Sequence, residues 1–96
     1  MEEKFYPENI FQKISKIYNI EKFERTIILE SLKILNPNLE KTLQEYLLLF
    51  DSYRFIKSDK NLMFISRDLW QTELNKFREM LEKEYLKIEF ELNKLS

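Results

Sequence analysis

Glycine, histidine and cysteine are absent from this chain of 96 residues, and proline occurs only twice. Without glycine there is no Gly-rich loop to cradle phosphate and no dinucleotide fingerprint, and any turn that needs a positive φ must use Asn, Asp or Ser. Without histidine the usual near-neutral acid–base group and the commonest zinc ligand are missing. The lack of cysteine excludes disulfides and thiolate metal sites and leaves the redox compartment undetermined. Ser15, Ser31, Ser52, Ser58 and Ser66 therefore have no imidazole to activate them. No enzyme, catalytic residue, metal or cofactor is expected.

Charge of one sign is lacking too: 16 basic and 17 acidic residues give a formal net charge of −1, so any electrostatic preference must come from local asymmetry. No apolar run approaches the ~18 residues of a membrane span, and no membrane partner is expected. Glu2, Glu3 and Lys4 are not followed by an apolar leader stretch, which makes a cytoplasmic location the expectation. What is abundant is apolar and aromatic residues, 44% and 15%, ample for one domain with one small core.

The most regular pattern lies at the C-terminal end. Trp70, Leu74, Phe77, Leu81, Tyr85, Ile88, Leu92 and Leu95 recur at steps of three and four, which predicts one long helix from Ser66 to Ser96, with Ser66 as its cap and Asp68 favoured by the helix dipole. About 29 residues at ~1.5 Å each give a rod of roughly 44 Å. A compact domain of this length has a radius of gyration near 12–13 Å, so the rod is expected to overhang its own globule and to pair its stripe with a second copy. Those eight residues are the expected homodimer interface. Leu86 and Phe90 fall on the opposite face of the wheel and offer a second contact surface.

Upstream, Pro7 opens a first helix with Ile10, Phe11, Ile14, Ile17 and Tyr18 facing the core and Asn19 as a left-handed stop. A second helix is expected from Glu21 to Leu35, central to the core because Phe23, Ile27, Ile28, Leu32, Ile34 and Leu35 leave it little polar face. Asn36-Pro37-Asn38 makes a short corner, and a third helix from Pro37 to Asp51 would bury Leu39, Leu43, Tyr46, Leu47 and Phe50. Between Tyr53 and Ser66 the period changes. Arg54-Phe55-Ile56-Lys57 and Leu62-Met63-Phe64-Ile65 flank the polar Ser58-Asp59-Lys60-Asn61, which reads as a β-hairpin; the competing reading is helical, with Ser58 as N-cap and Leu62, Ile65 and Leu69 as a stripe.

The expected fold is thus mostly α with one small β-hairpin, winged helix-turn-helix-like. Residues 1–66 would form a helical part with a wing at 53–66, and 67–96 the long helix of the same domain; the alternative is an all-α bundle. Thr42-Leu43 followed by Tyr46, Phe50, Phe55 and Ile56, and then Phe64-Ile65-Ser66, resembles PadR-type winged-helix regulators from Lys41 to Leu74. Arg54 and Leu69 stand where that family has glycines. The resemblance implies a dimeric DNA-binding protein, a repressor or a plasmid or phage accessory factor, with the third helix in the major groove and the hairpin on the backbone. Lys41 and Gln44 would enter the groove, and Arg54, Lys57, Lys60 and Arg67, set against Asp59 alone, would hold phosphates. Glu40 and Glu45 oppose that reading by repelling the duplex. The alternative is a protein-interaction module, an adaptor or an inhibitor of another protein, using the apolar far face of the last helix and the acidic face of the third.

Overall fold

The computed structural model describes residues 3–22 and 24–96. A 3₁₀ turn at Glu3–Phe5 precedes five helices: α1 Pro7–Tyr18, α2 Arg25–Leu35, α3 Pro37–Lys57, α4 Lys60–Ile65 and α5 Arg67–Leu95. No strand occurs among the described residues, so the architecture is the all-α alternative and the winged helix-turn-helix expectation is overturned.

The helix boundaries follow from local chemistry. Pro7 supplies the preset φ and the missing donor of a first helical residue. Asn19 ends α1 at φ 56° and ψ 48°, taking the left-handed conformation that a glycine-free chain leaves to asparagine. Its neighbour Ile20 donates its N–H to the Ser15 carbonyl and accepts the Ser15 hydroxyl. Asn36, extended at φ −158° before Pro37, accepts from the Leu39 N–H at 3.1 Å and donates from Nδ2 to the Tyr18 hydroxyl at 2.9 Å. One side chain thereby caps α3 and fastens its start to the end of α1.

Helix α3 does not stop at Asp51. Tyr53 and Ile56 prolong the inward face already set by Tyr46 and Phe50, and Tyr53 is buried, so continuing the helix hides apolar surface that a wing strand would have to place elsewhere. The polar tetrad read as a hairpin turn is instead a stop followed by a start. The Ser58 hydroxyl donates to the carbonyls of Arg54 and Phe55 at 3.0 and 3.1 Å, and Asp59, not Ser58, caps α4 by accepting from the Leu62 N–H at 3.1 Å. Ser66 caps α5 in the same manner on the Leu69 N–H.

The core lies between α3 and α5, which share the largest helix–helix contact, with α1 and α2 packed along them. Leu39, Leu43, Tyr46, Leu47 and Phe50 of α3 are buried as expected. Helix α2 is peripheral rather than central: it begins only at Arg25, it buries Ile28 and Leu32, and it leaves Ile34 84% exposed and Leu35 exposed as well. The expected contribution of Phe23 lies outside the described residues. Arg25 reaches across to Asp51 of α3 at 3.3 Å, a surface ion pair of small energetic consequence.

The long helix is covered over most of its stripe. The radius of gyration is 15.0 Å and the extents are 47 × 22 × 21 Å, so the molecule is elongated rather than compact, and the buried positions of α5 run from Leu74 to Leu92. Leu74, Leu81, Ile88 and Leu92 are buried in the protomer's own core, with Trp70, Phe77 and Tyr85 packed against it; only Leu95 of the stripe is exposed.

Candidate interaction surface

The reversal from α3 through α4 into α5 brings four cations of the sequence reading to one end of the molecule. Arg54 and Lys57 lie in the last turn of α3, Lys60 opens α4 and Arg67 opens α5. The Arg54 guanidinium lies 5.9 Å from the Phe50 ring centroid, while among the described residues no ion pair reaches Lys60 or Arg67. Lys41 and Gln44 are not part of this group. Lys41 precedes Arg54 by more than three helical turns, or roughly 20 Å along α3. Gln44 already donates its amide to the Glu40 carboxylate one turn back. The six residues expected to read DNA are therefore divided between two parts of α3 and its sequel.

Apolar side chains crowd the same end. Phe64 is 93% exposed, Ile65 80% and Phe55 72%, with Leu69 and Met63 exposed beside them, and no residue of α4 is buried. Singly exposed apolar residues are ordinary, but several large ones on adjacent turns are the composition of a contact surface. The sequence reading placed Phe55, Met63, Phe64 and Ile65 in wing strands. Three consecutive large apolar residues, Met63-Phe64-Ile65, fit neither an alternating strand nor a one-faced helix, and that run was the available signal of a surface not satisfied within the chain.

A rigid base carries this surface. The Trp70 indole donates to the Ile56 carbonyl at 2.8 Å, and α4 packs on α5. Elsewhere, Leu86 and Phe90 are exposed on the outer face of α5, with the Lys94 ammonium 4.6 Å from the Phe90 ring centroid. Glu45 is exposed on α3 and Glu40 half-exposed, so the acidic face of that helix stands at the surface.

Two tyrosines carry polar groups into the core. The Tyr46 hydroxyl donates to the Phe5 carbonyl, and burial together with the nearby Tyr85 pushes its pKa upward. Tyr85, edge-on to Phe5 at 5.5 Å, is raised by its own burial and by Glu89. Glu84 is paired with Lys87 at 3.3 Å, and its second oxygen is buried with no partner among the described residues. No group of Asp or Glu among the described residues converges as a metal site, and no described helix is long and apolar enough to cross a membrane. No protein-family model matches the chain, and neither a curated protein nor a solved structure is significantly similar to it, which leaves the PadR-type resemblance with its hydrophobic spacing alone.

Proposed function

We propose that this chain is a helical protein-interaction module that docks an acidic, apolar-faced partner protein at the α3–α4–α5 end. The observation that carries this reading is the exposure of Phe55, Phe64 and Ile65 among Arg54, Lys57, Lys60 and Arg67. Burying one such side chain contributes about 1.5–3 kcal/mol, and aromatic and arginine side chains are the usual anchors of binding energy. Cations around an apolar centre favour a partner with carboxylates at matching positions and raise the rate of encounter.

A second reading keeps double-stranded DNA as the partner, favoured by the gathering of the four cations at one end. Phosphate contacts gain nothing from an exposed Phe64, and Lys41 and Gln44 are too far from the cluster to complete the groove contacts expected of them. The two readings separate experimentally. A photo-crosslinking residue in place of Phe64 should trap a discrete heterologous protein with an acidic surface, and the adduct should be lost when Lys60 and Arg67 are both changed to Glu. A self-adduct, or binding to mixed genomic DNA that falls steeply with salt in the absence of a protein adduct, overturns the module reading.

A further inference from the structure

Helix α5 carries a second seam on the side away from the core. Leu74, Leu81 and Ile88 are buried one heptad apart, while Leu86 and Phe90 are 57% and 62% exposed. With Phe90 set at heptad position a, Leu86 falls at d, and the three buried residues fall at f, the position farthest from an a/d seam. The flanks of this outer seam are sorted by charge. Glu82 and Glu89 occupy g on one side, and Lys87 and Lys94 occupy e on the other. Glu82, Lys87 and Lys94 are exposed and Glu89 is half-buried. Three of these groups already have neighbours within the chain. Lys87 lies 3.3 Å from Glu84, Lys94 lies 3.9 Å from Glu91 and 4.6 Å from the Phe90 ring centroid, and Glu89 shares a hydrogen bond with Tyr85. Surface ion pairs of this kind hold their partners weakly. An ammonium has three donors and a carboxylate about four acceptor positions, so each group keeps capacity for a second contact.

We propose that α5 pairs with α5 of a second copy, in parallel and in register, along Leu86 and Phe90. In a parallel pair, position g of one helix faces position e of the other five residues further on. Glu82 then meets Lys87 of the second copy, Glu89 meets Lys94, and the twofold axis repeats both contacts. An antiparallel pair sets e against e and g against g, which brings lysines to lysines and glutamates to glutamates. The chain thus carries both halves of one complementary pattern, and that pattern fixes the direction as well as the partner. Lys83, at a, meets its own copy, but Glu82 of the other chain stands beside it. Farther towards the start of α5 the seam positions are Lys76 and Glu79, so the apolar contact is confined to the C-terminal part of the helix. A seam this short buries less than the roughly 1,200 Å² of a standard interface and makes a weak, concentration-dependent dimer. Parallel pairing also sets both α4 surfaces at the same end of the assembly, although the pairing does not rest on what those surfaces bind.

Sedimentation from about 10 µM to about 1 mM should show monomer giving way to dimer. The double variant Leu86→Ser, Phe90→Ser, altered at exposed positions and checked for folding by circular dichroism, should stay monomeric throughout. The double variant Lys87→Glu, Lys94→Glu should associate roughly tenfold more weakly, and mixing it with Glu82→Lys, Glu89→Lys chains should restore association. Direction is read from introduced thiols, each unique because the chain has no cysteine. In a mixture of Lys83→Cys and Asn93→Cys chains, parallel pairing links each kind to itself under mild oxidation, whereas an antiparallel pair centred on Leu86 and Phe90 links one kind to the other. A parent that is still monomeric at about 1 mM, a Ser variant that still dimerises, or a predominance of mixed disulfides would overturn the assignment. Capture of a partner protein at Phe64 should survive in the Ser variant, so this seam and the α4 surface can fail separately.

Discussion

The indole Nε1 of Trp70 donates to the carbonyl of Ile56 across 2.8 Å, joining the first turns of α5 to the last turn of α3. The Ile56 carbonyl also accepts the Asp59 N–H at 3.1 Å, so the exit of α3 is held by one bond from the backbone and one from a residue 14 positions ahead. This clasp explains how α4 keeps a defined place without a buried residue of its own. The chain enters and leaves it through fixed ends.

Changing Trp70 to Phe keeps most of the ring and removes the donor. The expected cost is about 0.5–1.5 kcal/mol of global stability, the net worth of one hydrogen bond. Amide exchange should accelerate more at Lys60–Ile65 than in the middle of α3, because local opening begins where few buried contacts resist it. Equal acceleration in both places would show that the clasp does not secure α4.

Exposed and buried apolar residues should behave oppositely. Replacing Phe64 and Ile65 by Ser should change stability by no more than about 0.5 kcal/mol for each, since neither side chain has a packed environment to lose. Leu81→Ala, which empties a fully enclosed position, should cost about 2–5 kcal/mol. Denaturant unfolding compares them directly, and a Phe64 variant as damaging as the Leu81 one would mean that α4 is covered within the chain.

The parts of this fold written in one continuous period were legible before the structure. Ser66 as cap, Asn19 as left-handed stop and the buried stripes of α1, α3 and α5 all depend on residues near one another in sequence, so local chemistry specifies them. The error at residues 53–66 arose because a helix ending, a cap and a helix start together resemble two short strands around a polar turn. What decides the matter is long-range: Tyr53 and Ile56 gain burial only against a helix that is distant in sequence, and Trp70 closes the same junction. The expected overhang failed for a related reason, because a compact globule was assumed while the molecule is elongated and buries the α5 stripe from Leu74 to Leu92. Of the candidate site, the basic residues around α4 were legible from charge, whereas the exposure of Phe55, Phe64 and Ile65 was hidden by the strand reading.

Assembly can be tested through the stripe of α5. Ile88 is almost wholly buried inside the protomer, so Ile88→Lys should unfold the chain by placing an unpaired charge in the core, rather than release folded monomers. Circular dichroism and light scattering together report the difference. A homodimer would have to use surfaces outside this stripe, such as Leu86 and Phe90, and the double Ser variant at those exposed positions should stay folded. A folded monomeric Ile88→Lys protein from a dimeric parent would return the stripe to the subunit interface.

The last prediction concerns alkaline pH. Burial, reinforced by Tyr85, holds the phenol of Tyr46 protonated in the folded state well above the usual range, and Tyr85 is itself raised by burial and by Glu89. In the unfolded chain each phenol loses its proton near pH 10. The folded state therefore binds more protons above that point, so the stability contributed by neutral Tyr46 is complete below about pH 10 and declines as the pH rises, by up to about 1.4 kcal/mol per pH unit for this one phenol. Tyr46→Phe removes one titrating group and the donor to the Phe5 carbonyl. At neutral pH the variant should be less stable by about 1–3 kcal/mol, because a buried acceptor is left unpaired. Its loss of stability from about pH 10 upward should nevertheless be shallower than that of the parent. Parallel alkaline limbs in urea unfolding would show that the buried phenol does not govern this transition.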